Sequence, residues 1–283
     1  MKKLLTSFVL LIGALAVKAQ PTPAIHDIPR NDPGVKAGAF FEAEAKKKLS
    51  KKLSVSLGAE YRMENDFLYD KQFRGHAGVE YKLTKRVDLL GGYTFIGKIR
   101  EGDRFSPRHR IFAGLKEEVR INKKVKFFFT EKLQFTHRNG SINKYQDAIN
   151  HLDLKLMAKF QWAVHKKINL FTFGEIRTTF TEPRLKNLYY DDSIMQFTDE
   201  SGSPVGDPGW YLKGYSKLSI NRIRVGAGFD FKFNKQHKIR FTVLYDRDME
   251  LNIDANKEGT VIKHLVHDRR NMLYGRLGYF FSF

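Results

Sequence analysis

Fifteen ionisable residues recur at alternate positions within extended segments: Glu60, Arg62, Arg74, Glu80, Arg110, Glu118, Asp153, Lys155, Glu175, Arg177, Arg222, Arg224, Asp230, Arg240 and Arg276. Lys132, Asp246 and Arg270 share their pattern. If these positions line an enclosed lumen, two chemistries are open. The charges pair across it and plug it, because an unpaired buried charge is costly. Alternatively, the excess of arginine makes a selective pore that favours anions.

Three further groups invite chemistry. Asp246, Asp248, Glu250, Asn252 and Asp254 alternate along one strand face. Clustered oxygen ligands suit Ca²⁺, though the spacing is that of a strand end rather than an EF-hand loop. Histidines occur at His76, His109, His137, His151, His264 and His267, with Ser106 near His109 and Ser141 near His137. A barrel-embedded lipid hydrolase or acyltransferase would need such pairs. Neither lies in a nucleophile motif; Gly-x-Ser-x-Gly, His-Glu-x-x-His and a phosphate loop are all absent, and polar rim positions explain the residues more simply. No residue is assigned a catalytic, cofactor-binding or metal-ligating role.

The elements that carry these side chains are strands. From Val35 onward the apolar pattern has period two, and no helical stripe is sustained. Leu53, Val55, Leu57, Ala59, Tyr61 and Met63 face one way, against Ser54, Ser56, Glu60, Arg62 and Glu64. Leu152, Leu154, Leu156, Ala158, Phe160 and Trp162 oppose Asp153, Lys155, Lys159 and Gln161. Along Val125–Phe135, Glu131 interrupts an otherwise apolar row. Tyr61, Tyr81, Tyr93, Trp162, Trp210 and Tyr279 suit interfacial aromatic girdles, while Trp210 and Tyr211 after a Gly- and Pro-rich loop equally suit an external recognition patch.

The connections alternate in kind. Tight polar turns occur at residues 49–52, 83–86, 121–124, 164–167 and 234–237, and longer polar loops near 65–70, 100–106, 138–146, 181–213 and 252–263. Short turns on one rim and long loops on the other is the arrangement of an outer-membrane barrel. A secreted β-sandwich also alternates, but does not need segments of about 10 to 15 residues. The count is about eleven, whereas bacterial barrels of this kind are usually even, so 10 to 12 strands are expected. Either a strand hides in the proline-rich arm or the first segment stands outside the count.

The last segment, Leu273 to Phe283, closes the sheet. Leu273, Leu277, Tyr279, Phe281 and Phe283 face outward, Tyr274, Arg276, Gly278 and Ser282 inward, with Phe280 out of place among them. Leu277, Tyr279, Phe281 and Phe283 resemble the C-terminal signal read by the barrel assembly machinery. An ordinary edge strand ending on Phe is the plainer reading. At the other end, residues 1–19 read as a cleaved signal peptide: Lys2 and Lys3, an apolar run from Leu4 to Val17, and Val17-Lys18-Ala19 before Gln20. The run is short for an anchor helix. Pro21, Pro23, Pro29 and Pro33 make residues 20–34 an irregular arm. Loss of Lys2, Lys3 and Lys18 lowers the formal charge from +19 to +16. In an exported chain the matching polyanions are lipid phosphates, lipopolysaccharide or acidic sugars, and nucleic acid is not expected. With no cysteine, lipid acylation at Cys, disulfides and thiolate metal sites are excluded.

The run Lys46-Lys-Lys-Leu-Ser-Lys-Lys-Leu-Ser-Val-Ser-Leu-Gly-Ala-Glu-Tyr-Arg62, with Gly78-Val-Glu-Tyr-Lys-Leu-Thr-Lys-Arg86 and Pro107-Arg-His-Arg110, resembles an outer-membrane family of Gram-negative bacteria known only as a domain of unknown function. The similarity covers most of the mature chain and rests on repeated strand-turn grammar. It implies a barrel in the outer membrane and carries no activity with it. The loop from Thr181 to Lys213 departs from the family pattern.

The expectation is an all-β, antiparallel up-and-down transmembrane barrel over residues 35–283, without cofactor. Its partners would be outer-membrane lipid, lipopolysaccharide and the barrel assembly machinery. A structural, ligand-binding or porin-like small-solute channel role is expected, with a lipid- or lipopolysaccharide-modifying enzyme as the alternative.

Overall fold

The computed structural model describes residues 27–29, 34–64, 66–67, 69–100, 104–139, 150–183, 189–191, 196–198, 215–255 and 262–283. The expected signal peptide, most of the arm, Ser141 and most of the long loops lie outside the described residues. All regular structure described is strand, in the order β1 (Asp27–Pro29), β2 (Val35–Lys48), β3 (Leu53–Glu64), β4 (Tyr69–Lys82), β5 (Val87–Arg100), β6 (Arg104–Arg120), β7 (Val125–Arg138), β8 (Asn150–Ala163), β9 (Ile168–Pro183), β10 (Tyr189–Asp191), β11 (Gln196–Thr198), β12 (Tyr215–Lys232), β13 (His237–Ala255) and β14 (Ile262–Ser282). β1 is a three-residue strand within the stretch expected to be irregular.

Eleven long strands, β2 to β9 and β12 to β14, pair in sequence order, and β14 returns to β2. They lie in one compact unit, Ile28–Lys186 with Asp207–Phe283. The unit Met1–Asp27 with Asn187–Gly206 contains β10 and β11, an antiparallel hairpin pairing Tyr189 with Thr198 and Asp191 with Gln196.

The parity question resolves at the seam. Ten strand pairs are antiparallel, but β14 and β2 run parallel, in register from Asn271↔Val35 to Ser282↔Lys46. An odd number of up-and-down strands can close only this way, so the expected antiparallel up-and-down order holds through ten pairs and the closing pair alone runs parallel. Two features favour the closure. Ala37, Ala39, Phe41 and Ala43 on the outer face of β2 stand level with Leu273, Gly275, Leu277 and Tyr279 of β14. At the short-turn end the Phe283 amide donates to the Lys46 carbonyl (3.0 Å) and the Lys48 amide to the Phe283 carbonyl (3.2 Å). A closed ring leaves no strand edge unsatisfied.

The outer face carries the apolar set. Leu57, Phe73, Ile111, Leu133, Val225 and Leu277 are among many large apolar residues left exposed. The inner face is mixed. Where an inward glycine stands opposite a ring, the ring lies over it: Tyr274 over Gly38, His76 over Gly58 and Phe112 over Gly92, each a register pair. A Cβ at Gly92 would come within 2.6 Å of the Phe112 ring. Glycine thus lets an aromatic side chain flatten against the wall.

Four of the five short turns share one construction, and the fifth makes half of it. The residue after the first apolar position caps the turn by accepting two backbone amides. Ser50 Oγ takes Lys52 (3.2 Å) and Leu53 (3.0 Å), and Asn122 Oδ1 takes Lys124 and Val125 (both 2.8 Å). Thr84 and Asn234 do the same, and His165 accepts from Lys167 at 3.3 Å. The capped tips present Lys51, Lys52, Lys85, Arg86, Lys123, Lys124, Lys166, Lys167 and Lys235, with no acidic residue among them.

Candidate functional site

The inward residues fall into two levels. Towards the long-loop end the described inward side chains pack into a layer, of which Glu60, Arg74, Arg110 and Lys155 also border the cavity below. Phe40, Leu244, Met272 and Tyr274 form a buried cluster with Phe173 packed against it. The rings of Phe40 and Tyr274 lie 4.3 Å apart, and the Arg62 guanidinium covers Phe40 at 4.1 Å. Around them stand most of the charged residues singled out from the sequence. Arg62 bonds Glu60, and Arg74 lies 3.6 Å from the same carboxylate. Lys155 pairs with Glu175 at 2.7 Å, and Arg224 bridges Glu175 (3.4 Å) and Asp246. Arg177 reaches Asp248 at 3.2 Å, and Arg222 bonds Asp248 and lies 3.3 Å from Asp246. Arg110 donates to Thr136 at 2.9 Å, and Asp153 is buried beside this layer. Each of the carboxylates Glu60, Glu175, Asp246 and Asp248 is therefore engaged by at least one cation at this level.

Towards the short-turn end the lumen opens into a cavity of about 1140 Å³. Glu80 pairs there with Lys46 (2.8 Å) and Lys116 (3.2 Å), and Lys116 also with Asp88 (3.1 Å). Asp230 holds Arg240 at 2.7 Å, Glu118 pairs with Lys126 at 3.0 Å, and Arg276 bonds Glu42. Even so, the lining holds twelve lysines and arginines against four glutamates. Lys132 is the clearest surplus cation. It stands 4.7 Å over the Phe112 ring, and among the described residues no carboxylate pairs with it. Phe112, Leu90, Met157 and Phe280 add apolar surface.

Phe280, out of place by polarity, lies inside under Lys238 (4.3 Å) and Arg240 (4.9 Å), so its face offsets clustered cations. Asp246 and Asp248 are engaged by arginines, which offset their charge and disfavour Ca²⁺; the side chains of Glu250, Asn252 and Asp254 lie outside the described residues. Ser106 and His109, three apart on β6, point to opposite faces, and His109 instead bonds the Tyr93 hydroxyl at 2.7 Å. Tyr279 bonds His237 at 2.6 Å, and Phe281 stacks on Phe283 at 5.1 Å on the outer face. Glu131 faces outward between Leu115 and Leu156. Sequence reading missed Glu42, Glu44 and Lys46. The signal was present, since they alternate with the alanines of β2.

A family model described as "Protein of unknown function (DUF2490)" matches residues 37–256. No curated protein matches the chain. Among solved structures, a bacterial polysaccharide outer membrane secretin is similar at 8% identity and TM-score 0.39, over 79% of this chain and 73% of that one. The translocator domain of the autotransporter NalP from Neisseria meningitidis is similar at 12% identity and TM-score 0.36, over 71% and 70%.

Proposed function

The chain belongs to the DUF2490 family, and from its geometry we infer an outer-membrane barrel whose lumen is a blind cup for a small anionic ligand. An apolar outer face around a charged interior is the inversion that a bilayer requires and water disfavours. Together with a secretory leader and an aromatic C-terminal strand in the sequence, it supports export and outer-membrane insertion with the short turns towards the periplasm. The cup then opens on the periplasmic side, and the filled level stands between it and the long-loop end.

One observation carries the choice of ligand. Lys132 faces a cavity of ligand size with an aromatic ring as its neighbour and, among the described residues, no carboxylate in direct contact. A partly desolvated cation with no carboxylate in direct contact is a site for a phosphate or carboxylate group, with the nearby apolar side chains covering the ligand's body. Isothermal titration of the folded barrel with pyrophosphate tests this. Saturable binding that falls about tenfold in Lys132→Gln supports the reading, on a loss of one charge-assisted contact. Equal binding by wild type and variant refutes it.

A further inference from the structure

The capped turns bear on a second surface, outside the lumen. Each turn places an exposed apolar side chain immediately before its cap: Leu49, Leu83, Ile121, Val164 and Phe233. Each then places one or two cations at the tip. Five repeats of one apolar residue followed by cations form a ring with acyl-compatible and phosphate-compatible groups side by side. A soluble polyanion would use the cations and leave the apolar ring without purpose.

The ring also has a seat. On the outer face at the closing seam, Ala43, Ala45 and Ala59 recede between Leu57, Tyr279 and Phe281, leaving an apolar groove of about 620 Å³. The alanines make the hollow, and the flanking rings wall it. His237, which follows the basic turn 234–236, belongs to the same lining. Lys47 lies two residues beyond Ala45 on the same outward face of β2.

We propose that this groove and the basic turns beside it form a binding site for an anionic phospholipid, the acyl chain in the groove and the phosphate among Lys47, Lys51, Lys52 and Lys235. The proposal rests on the reading of the chain as a membrane barrel. The site is distinct from the luminal cup. It would select headgroup charge in the leaflet that meets the short turns.

The test reconstitutes the full barrel in nanodiscs of phosphatidylcholine mixed with phosphatidylglycerol and measures the lipid retained on release by native mass spectrometry. Phosphatidylglycerol should be enriched about fivefold over its bulk share, the effect of roughly one engaged cation at a bilayer surface. The enrichment should vanish in molar salt, which screens exposed charge and needs no variant. It should also vanish in the combined Lys47→Gln, Lys51→Gln, Lys52→Gln and Lys235→Gln variant, and fall when Ala43→Leu and Ala59→Leu fill the groove. Lys132→Gln, inside the cup, should leave it unchanged. Retention that follows the bulk composition overturns the proposal, as does preferential retention of lipopolysaccharide offered in the same discs. Failure of the wild-type barrel to enter any bilayer overturns the membrane reading and this site together.

Discussion

Arg276 on β14 donates through Nε to Glu42 on β2 at 3.0 Å, joining residues 234 positions apart across the only parallel pair among the described barrel strands. The contact lies inside the lumen, level with the apolar pairs that close the seam outside. Removing either partner leaves a partly buried charge. Arg276→Ala and Glu42→Ala are each expected to destabilise the barrel by about 1–3 kcal/mol, below the full cost for a deeply buried pair because Arg276 is partly exposed. Urea unfolding of refolded protein measures the loss, and the exchanged pair Glu42→Arg with Arg276→Glu should restore part of it.

The register of the seam can be locked. Ala39 and Gly275 are paired on the outer face, and the chain has no cysteine of its own. Ala39→Cys with Gly275→Cys should therefore form a disulfide in the folded barrel that keeps the ends of the sheet joined after denaturation. Ala39→Cys with Leu277→Cys, offset by two residues, should not. The mobility of the non-reduced, boiled chain reads the difference.

The ring-over-glycine contacts are expected to be intolerant of side chains. Gly92→Val pushes into the Phe112 ring, on which Lys132 also rests. A loss of about 1–3 kcal/mol in unfolding free energy is expected for overpacking at this site, together with weaker anion binding. Gly75→Ala, where the added methyl meets nothing within 4 Å, is the control and should be close to neutral.

Glu131 makes the opposite prediction. It points outward among Leu115, Leu156, Phe129 and Leu133, and no cation is paired with it among the described residues. In a bilayer an outward carboxylate at this height is unfavourable, so Glu131→Leu should stabilise the reconstituted barrel by about 1 kcal/mol. In detergent-free aqueous buffer the same change would only promote aggregation. Vesicle-based urea titration separates the two.

Much of this architecture is legible in the sequence because strand periodicity exposes it. The rows Leu53–Met63 and Leu152–Trp162 assign faces directly, and each assigned face is the one observed. The basic turns are equally visible, since Ser, Thr, Asn or His before a cation pair is a local signal. What the sequence hides is long-range. Whether Arg276 meets Glu42 depends on how the two ends of an eleven-stranded sheet align, which no local pattern encodes. The division of the lumen is hidden for the same reason. Phe40, Leu244 and Tyr274 come from β2, β13 and β14 and form a layer only when the ring closes. The carboxylates of Asp246 and Asp248 look free for a cation until Arg177, Arg222 and Arg224 are brought in from β9 and β12.

On the proposed reading the lumen is blind, closed by the layer of Phe40 and Tyr274 and open below. Single-channel recording in planar bilayers tests it most directly, using protein whose gel mobility shifts on boiling. The wild type should give no steady conductance, while Phe40→Ala combined with Tyr274→Ala should open discrete, anion-selective steps. A wild-type barrel that conducts continuously, with the double variant indistinguishable from it, would rule out a blind lumen.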